Sequence, residues 1–219
     1  MLLAEQRAAV VRYAHRMVSD GLVVGTSGNL SVRVGDLLVV TPSGLDYDAL
    51  TPETVCVCDL SGDLVDGPLQ PTSEMPMHLA VYRHTGHGAV VHTHSTAATA
   101  VSVLVDELPS VHYLVALFGG SVRVARYATY GTGELAEHML NALSGRTGCI
   151  LANHGTVTVG DDLASAYLLS RYLEWLCDVW LRAQSAGTPR VLPDAEIQRV
   201  VEKLATYGQR FPGRSPEAP

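Results

Sequence analysis

The chain has 219 residues, 47% of them apolar and 17% charged. A chain of this size buries roughly 70% of its unfolded surface, so the composition excludes intrinsic disorder and any need for covalent staples. The formal charge of −7, with histidines neutral, argues against a nucleic-acid surface, which needs a basic field. It leaves an anionic substrate open, because backbone N–H groups can hold a small phosphate.

The four cysteines form no CxxC pair and are read as reduced thiols, in keeping with a cytoplasmic protein. The N-terminus mixes charge into its apolar pattern and does not read as a signal peptide. No apolar run is long enough to span a membrane.

Residues 2–20 carry apolar positions at helical spacing and end at Gly21. The segment GTSGN at 25–29 leads into a strand at 30–34, and residues 37–41 return as its hairpin partner. Further strands are predicted at 55–59 and 64–65, a helix at 74–84, a buried strand at 89–92 and a helix at 95–104. A strand at 121–125 and a helix at 133–144 with Thr132 as its cap come next. Short strands follow at 149–153 and 156–159, then a long amphipathic helix at 161–185 and a last helix at 194–206. Hairpins first and interleaved helices later predict a mixed, largely antiparallel sheet with helices packed on it. Nothing resembling a linker divides the chain, which reads as one domain over 1–210 with a frayed Pro-rich tail at 211–219.

Four features carry chemistry. In VVHTHS, positions i and i+2 of a strand share a face, so His92 and His94 can converge on one ion where the apolar run ends. Two hydrogen-bonded histidines at a strand end would leave the same pattern. In ILANHG, an apolar strand again ends in a histidine. His154 could complete a three-imidazole site with an open position, the arrangement of a catalytic zinc, or simply occupy a turn. In PTSE, Thr72 or Ser73 can cap a helix with Glu74 in its first turn; the alternative role is a carboxylate that touches metal and serves as a base. His78, four residues on, is read as an ordinary helix residue. Finally, TSGN and PSG are loops able to aim N–H groups and hydroxyls at an anion. Cys56 and Cys58 share one side of a strand and are read as core. No nucleotide-binding glycine motif is present.

Taken in order, GTSGNLS (25–31), TPSG (41–44), PTSE (71–74), VHTH (91–94), HY (112–113), YATYGTGEL (127–135), NHG (153–155) and TYG (206–208) resemble the class II sugar-phosphate aldolases, closest to the L-fuculose-phosphate aldolase family. The resemblance runs along nearly the whole chain. It implies a three-layer α/β/α sandwich around a central, mostly antiparallel mixed sheet, assembled as a homotetramer with active sites at subunit interfaces. It implies one Zn²⁺ per subunit held by His92, His94 and His154, with Glu74 ligating the resting metal and moving protons at the nucleophilic carbon. Gly28, Asn29, Ser43, Gly44, Thr72 and Ser73 match phosphate-holding positions. Tyr113 matches a tyrosine that reaches a neighbouring subunit's site, and Tyr207 one that closes over the site.

The implied reaction is cleavage of a ketose 1-phosphate, such as L-fuculose 1-phosphate, to dihydroxyacetone phosphate and a small aldehyde such as L-lactaldehyde. Tyr130, where the family pattern has Phe, bears on which aldehyde is taken. The scaffold also serves methylthioribulose-phosphate dehydratases, pentulose-phosphate 4-epimerases and a non-catalytic assembly module. The epimerases carry Asp where Glu74 stands. Lys203 is the only lysine and lies on a terminal helix, which favours a metal route over an imine route.

Overall fold

A computed structural model describes residues 1–204. Nine strands form one sheet in the order β4-β3-β2-β1-β5-β9-β8-β7-β6. They are β1 (Asn29–Val34), β2 (Leu37–Val40), β3 (Cys56–Asp59), β4 (Leu64–Asp66), β5 (Ala89–Thr93), β6 (Glu107–Leu108), β7 (Val122–Ala125), β8 (Gly148–Leu151) and β9 (Gly155–Gly160). Every neighbouring pair is antiparallel except β7 and β8. The helices are α1 (Ala4–Ser19), α2 (Met75–His84), α3 (Thr96–Ser102), α4 (Gly133–Leu143), α5 (Leu163–Ala186) and α6 (Asp194–Leu204). The mixed α/β, mostly antiparallel architecture is the one the sequence and the resemblance predict.

Strand alternation sorts the core into layers. Leu38, Val40, Cys56, Cys58 and Val90 pack with Met75, Leu79 and Tyr82 of α2 and with Leu135 and Met139 of α4. Their sequence neighbours Val39, Val57, Ala89 and Val91 face the other way, against Val10, Ala14 and Met17 of α1 and Leu163, Ala166 and Tyr167 of α5. This is the two-residue period of a pleated strand read from both sides. A third cluster joins α3, α5, α6 and the sheet around Phe118, Ile150 and Trp180. Cys56 and Cys58 are buried core residues, and all four cysteines are unpaired. None of the helices among the described residues is long and apolar enough to cross a membrane.

Several local expectations need correction. The helix expected from residue 74 begins at Met75, with Glu74 at its cap position and no side-chain cap. Thr72 instead accepts the Glu74 backbone N–H through Oγ1 at 3.2 Å, forming a turn that sets the carboxylate ahead of the helix. The strand expected over 149–153 stops at Leu151, so residues 152–154 form the β8–β9 connection. The two-residue β6 and the 3₁₀ turns Tyr47–Ala49 and Tyr113–Phe118 were not expected from the pattern. Thr132 does cap α4, accepting from the Leu135 N–H. The end of the helix expected to reach 206, Tyr207 and the 211–219 tail lie outside the described residues.

Candidate metal centre and substrate cavity

The register of three central strands assembles the site. His92 shares a face with Val90, and that face carries α2, whose N-terminal end presents Glu74. On β1, Asn29 lies directly opposite His92. On the other side, β9 pairs with β5 through Thr156 opposite Thr93, so the turn before β9 brings His154 beside the two strand histidines. Asn153 makes this turn in the left-handed region, at φ 55°, which Asn tolerates better than most residues.

Glu74, His92, His94 and His154 each offer one ligand atom, and all four lie within 4.8 Å of one another. The three imidazole centroids are 4.7 to 4.9 Å apart, with ring planes crossed at 73° to 79°. His92 Nδ1 donates to the Thr156 carbonyl at 2.8 Å. A neutral His92 therefore has its lone pair at Nε2, which lies 2.9 Å from His94 Nε2 and 3.0 Å from Glu74 Oε2. Lone pairs and an anion in such a cluster repel unless a cation, either a proton or a metal, sits among them. Glu74 Oε1 is buried without a hydrogen-bond partner among the described residues, 3.3 Å from His154 Nε2. Buried acceptors left in this way are costly, and a divalent cation at their centre satisfies them together. The donor set of three imidazoles and one carboxylate fits a metal ion, and the Thr156 carbonyl supplies the outer hydrogen bond that fixes a ligand's tautomer.

The charges are consistent with ligation. Burial, reinforced by His92, pushes His94 down to about 3 and His154 down to about 4, so both are neutral and able to ligate near pH 7. Burial alone would raise the Glu74 carboxyl, but His92 and the Asn29 amide outweigh it and hold the group well below the usual range. Burial likewise opposes charge on His92, yet the adjacent carboxylate raises its affinity for a proton.

The cluster opens into a cavity of about 370 Å³ that Gly28, Asn29, Ser43, Gly44, Thr72, Ser73, Glu74, His94 and His154 all line. The two hydroxyl-bearing loops are tied together at its floor: Pro42 bridges Pro71, Ser43 N donates to Gln70 O at 3.0 Å, and Thr72 N donates to Thr41 O at 3.1 Å. Gly28 sits at φ 77°, where a Cβ would lie 2.9 Å from the His92 carbonyl oxygen, so only glycine lets this loop approach the ligand strand. Among the described residues no Lys or Arg lines the cavity. The loops offer an anion dipoles and hydroxyls.

Tyr130 lines the same cavity and is exposed. Tyr113 does not: it is 49% exposed, with its ring 4.5 Å from that of His112, which in turn packs edge-on against Trp175. Tyr207 lies outside the described residues.

His78 lies on α2, as expected of a helix residue, and outside the ligand cluster. It is fully buried and hydrogen-bonded to Asn29 and Ser31. Its i+4 spacing from Glu74 was the available signal, but its partners lie more than forty residues away. Tyr127 and Asn153 also line the cavity. The first stands in the YATYG segment and the second before His154-Gly155, where an Asn marks a left-handed turn.

Residues 8–181 match the Class II Aldolase and Adducin N-terminal domain family. The chain belongs to this family. It is 37% identical over 213 residues to the 5-deoxy-D-ribulose 1-phosphate aldolase of Bacillus thuringiensis, covering 96% of this chain and all of that protein. It is 40% identical over 214 residues to the 5-methylthioribulose-1-phosphate/5-deoxyribulose-1-phosphate aldolase of Rhodospirillum rubrum, covering 97% and 96%. A solved L-fuculose 1-phosphate aldolase superposes with a TM-score of 0.90 at 37% identity, covering 93% of this chain and 98% of that one. The chain is accordingly a class II aldolase, a lyase, with a Glu/His cluster able to bind a metal.

Proposed function

We propose that this protein cleaves a ketose 1-phosphate by a retro-aldol reaction, releasing dihydroxyacetone phosphate and a small aldehyde. The observation that carries the reading is the convergence of three imidazoles and one carboxylate at the mouth of a cavity floored by uncharged anion-binding loops. L-Fuculose 1-phosphate and 5-deoxyribulose 1-phosphate are the two substrates that the named relatives support. A methylthioribulose-phosphate is a third, from the second relative's name.

His92, His94 and His154 would hold Zn²⁺, with Glu74 as fourth ligand before substrate enters. Bound there, the ion would supply electrophilic stabilisation of the negative charge that builds on the ketone oxygen as C3–C4 breaks. Gly28, Asn29, Ser43, Gly44, Thr72 and Ser73 hold the phosphate through N–H groups and hydroxyls. Glu74, released to face the substrate through Oε1, moves the proton at the carbon that becomes nucleophilic. Tyr113 of a neighbouring subunit handles the proton of the departing aldehyde oxygen, and Tyr207 closes over the site. This division of labour needs an oligomer, and we take it to be a homotetramer. The exposed Tyr113, set outside its own chain's cavity, supports it. The free, buried thiols agree with a cytoplasmic setting.

The test is a panel of ketose 1-phosphates assayed for dihydroxyacetone phosphate release, with light scattering on the same sample. Aldehyde release from any of them supports the reading. Elimination of water, or epimerisation without cleavage, would sink it, and a fully active monomer would remove Tyr113 from the mechanism.

A further inference from the structure

Behind Glu74 a chain of hydrogen bonds runs into the core. Asn29 Nδ2 lies 2.8 Å from Glu74 Oε2, and Asn29 Oδ1 lies 2.6 Å from His78 Nε2. His78 Nδ1 lies 2.6 Å from Ser31 Oγ, which is 2.7 Å from the Tyr82 hydroxyl. None of the five residues is more than 6% exposed.

The carboxylate end fixes the direction of every bond. An ionised carboxylate only accepts, so Asn29 turns its amino group to Glu74 and its carbonyl to His78. His78 then donates through Nε2–H and, carrying a single ring proton, accepts at Nδ1 from Ser31. The single Ser31 hydroxyl proton goes to His78, so its oxygen accepts from Tyr82. All donors point toward Glu74. A ring with hydrogen-bonding needs at both nitrogens is costly to bury where a Phe would fill the same space.

We infer that His78 is the positioning residue of the acid–base carboxylate: it locks the Asn29 amide in the orientation that grips Glu74 Oε2, on the His92 side, and leaves Oε1 to face His154 and the substrate. This rests on the assignment of Glu74 as the proton-moving group. It adds a second function to Asn29, a residue otherwise assigned only to the phosphate. Turned over, the same amide would set its carbonyl oxygen against the carboxylate and push Glu74 out of place.

The experiment uses the full chain labelled with ¹⁵N-histidine, the His78 signals being identified by their loss in His78→Phe. The expected result is the Nε2–H tautomer for His78; an Nδ1–H tautomer overturns the inference. In the metal-loaded enzyme, His78→Phe should lower kcat by about 10- to 100-fold, the range for lost outer hydrogen bonds. KM and metal content should stay within about threefold of wild type, and His78→Gln, which can still donate to Asn29, should recover most of the loss. In an Asn29→Ala background the His78→Phe change should cost less than about twofold, because the amide it orients is gone. An undiminished loss there, or no rescue by Gln, means His78 merely supports the fold. Should His78→Phe not fold, the Gln variant and the wild-type tautomer, with its signals then identified by His78→Gln, still decide. A wild-type protein that cleaves no ketose phosphate refutes the proposed function, whereas an active wild type with the wrong tautomer refutes only the role of His78.

Discussion

Gly155→Ala is the sharpest single test of how the metal centre is built. Gly155 opens β9 immediately after His154, and a Cβ there would lie 2.2 Å from the Thr93 carbonyl oxygen and 3.4 Å from His94 Cδ2. Real Cβ atoms essentially never come within 3.0 Å of such an atom, so β9 must move off β5. The displacement falls between β5, which carries His92 with His94 just past its end, and the turn that carries His154. Overpacking of this kind costs about 1 to 3 kcal/mol. For a domain of this size each kcal/mol lowers Tm by about 2 to 4 °C, so the metal-free variant should melt roughly 2 to 12 °C lower. The effect on the metal should be larger than the effect on the fold, since ligand distances tolerate only about 0.2 Å and a misplacement near 1 Å can cost about 10²-fold in rate. The assay is thermal melting of the chelated protein together with metal affinity by competition with a chromophoric chelator. Gly133→Ala is the control: nothing lies within 4 Å of its Cβ, and it should be neutral or stabilising by up to about 1 kcal/mol. A Gly155→Ala protein that binds the ion with wild-type affinity would refute the argument that strand spacing sets the ligand geometry.

Three further outcomes are expected. Glu74→Gln should lower turnover at least ~10²-fold, the scale of a lost acid–base group, while elemental analysis still finds metal on the three histidines; wild-type turnover would remove Glu74 from the chemistry. Chelation should abolish activity, and restoring Zn²⁺ to about 100 times its Kd should raise stability by about 2.7 kcal/mol; an active chelated enzyme contradicts the metal route. The metal-free protein should lose stability in acid. Burial holds His78 at about 3, against 6.5 when exposed, so below pH 6.5 the unfolded chain binds a proton that the folded one refuses. That single group lowers stability by up to about 1.4 kcal/mol per pH unit between those values. The depressed Glu74 acts in the same direction at lower pH, and His92, whose proton affinity is raised, opposes both. Urea titrations at pH 7 and pH 5 measure the sum, and equal midpoints would refute the sign.

What could be read from the chain is what depends on local periodicity. His92 and His94 two apart at the end of an apolar strand, a histidine soon after a later buried strand, and alternation along 37–41 and 55–59 can be seen without tertiary information. The layers followed for the same reason. What stayed hidden depends on partners distant in sequence. Helix spacing marks His78 as a neighbour of Glu74, but nothing local shows that Asn29 and Ser31 wait on an adjacent strand. A two-residue strand such as Glu107–Leu108 has too few positions to show a period. The start of α2 was misplaced because Thr72, Ser73 and Glu74 are all good first-turn residues. Here the Thr72 hydroxyl turns inward to the backbone of Glu74 instead of capping the helix.

The cavity, lined by no Lys or Arg among the described residues, also governs how its ligand arrives. With a formal charge of −7 the chain stays net negative even with one divalent cation bound, so a phosphate dianion nears it against a repulsive field. Added salt shortens the Debye length from about 30 Å at 0.01 M to about 10 Å at 0.1 M and so eases that climb. Capture by this enzyme should therefore quicken as ionic strength rises, opposite to proteins that recruit anions with arginine and lysine.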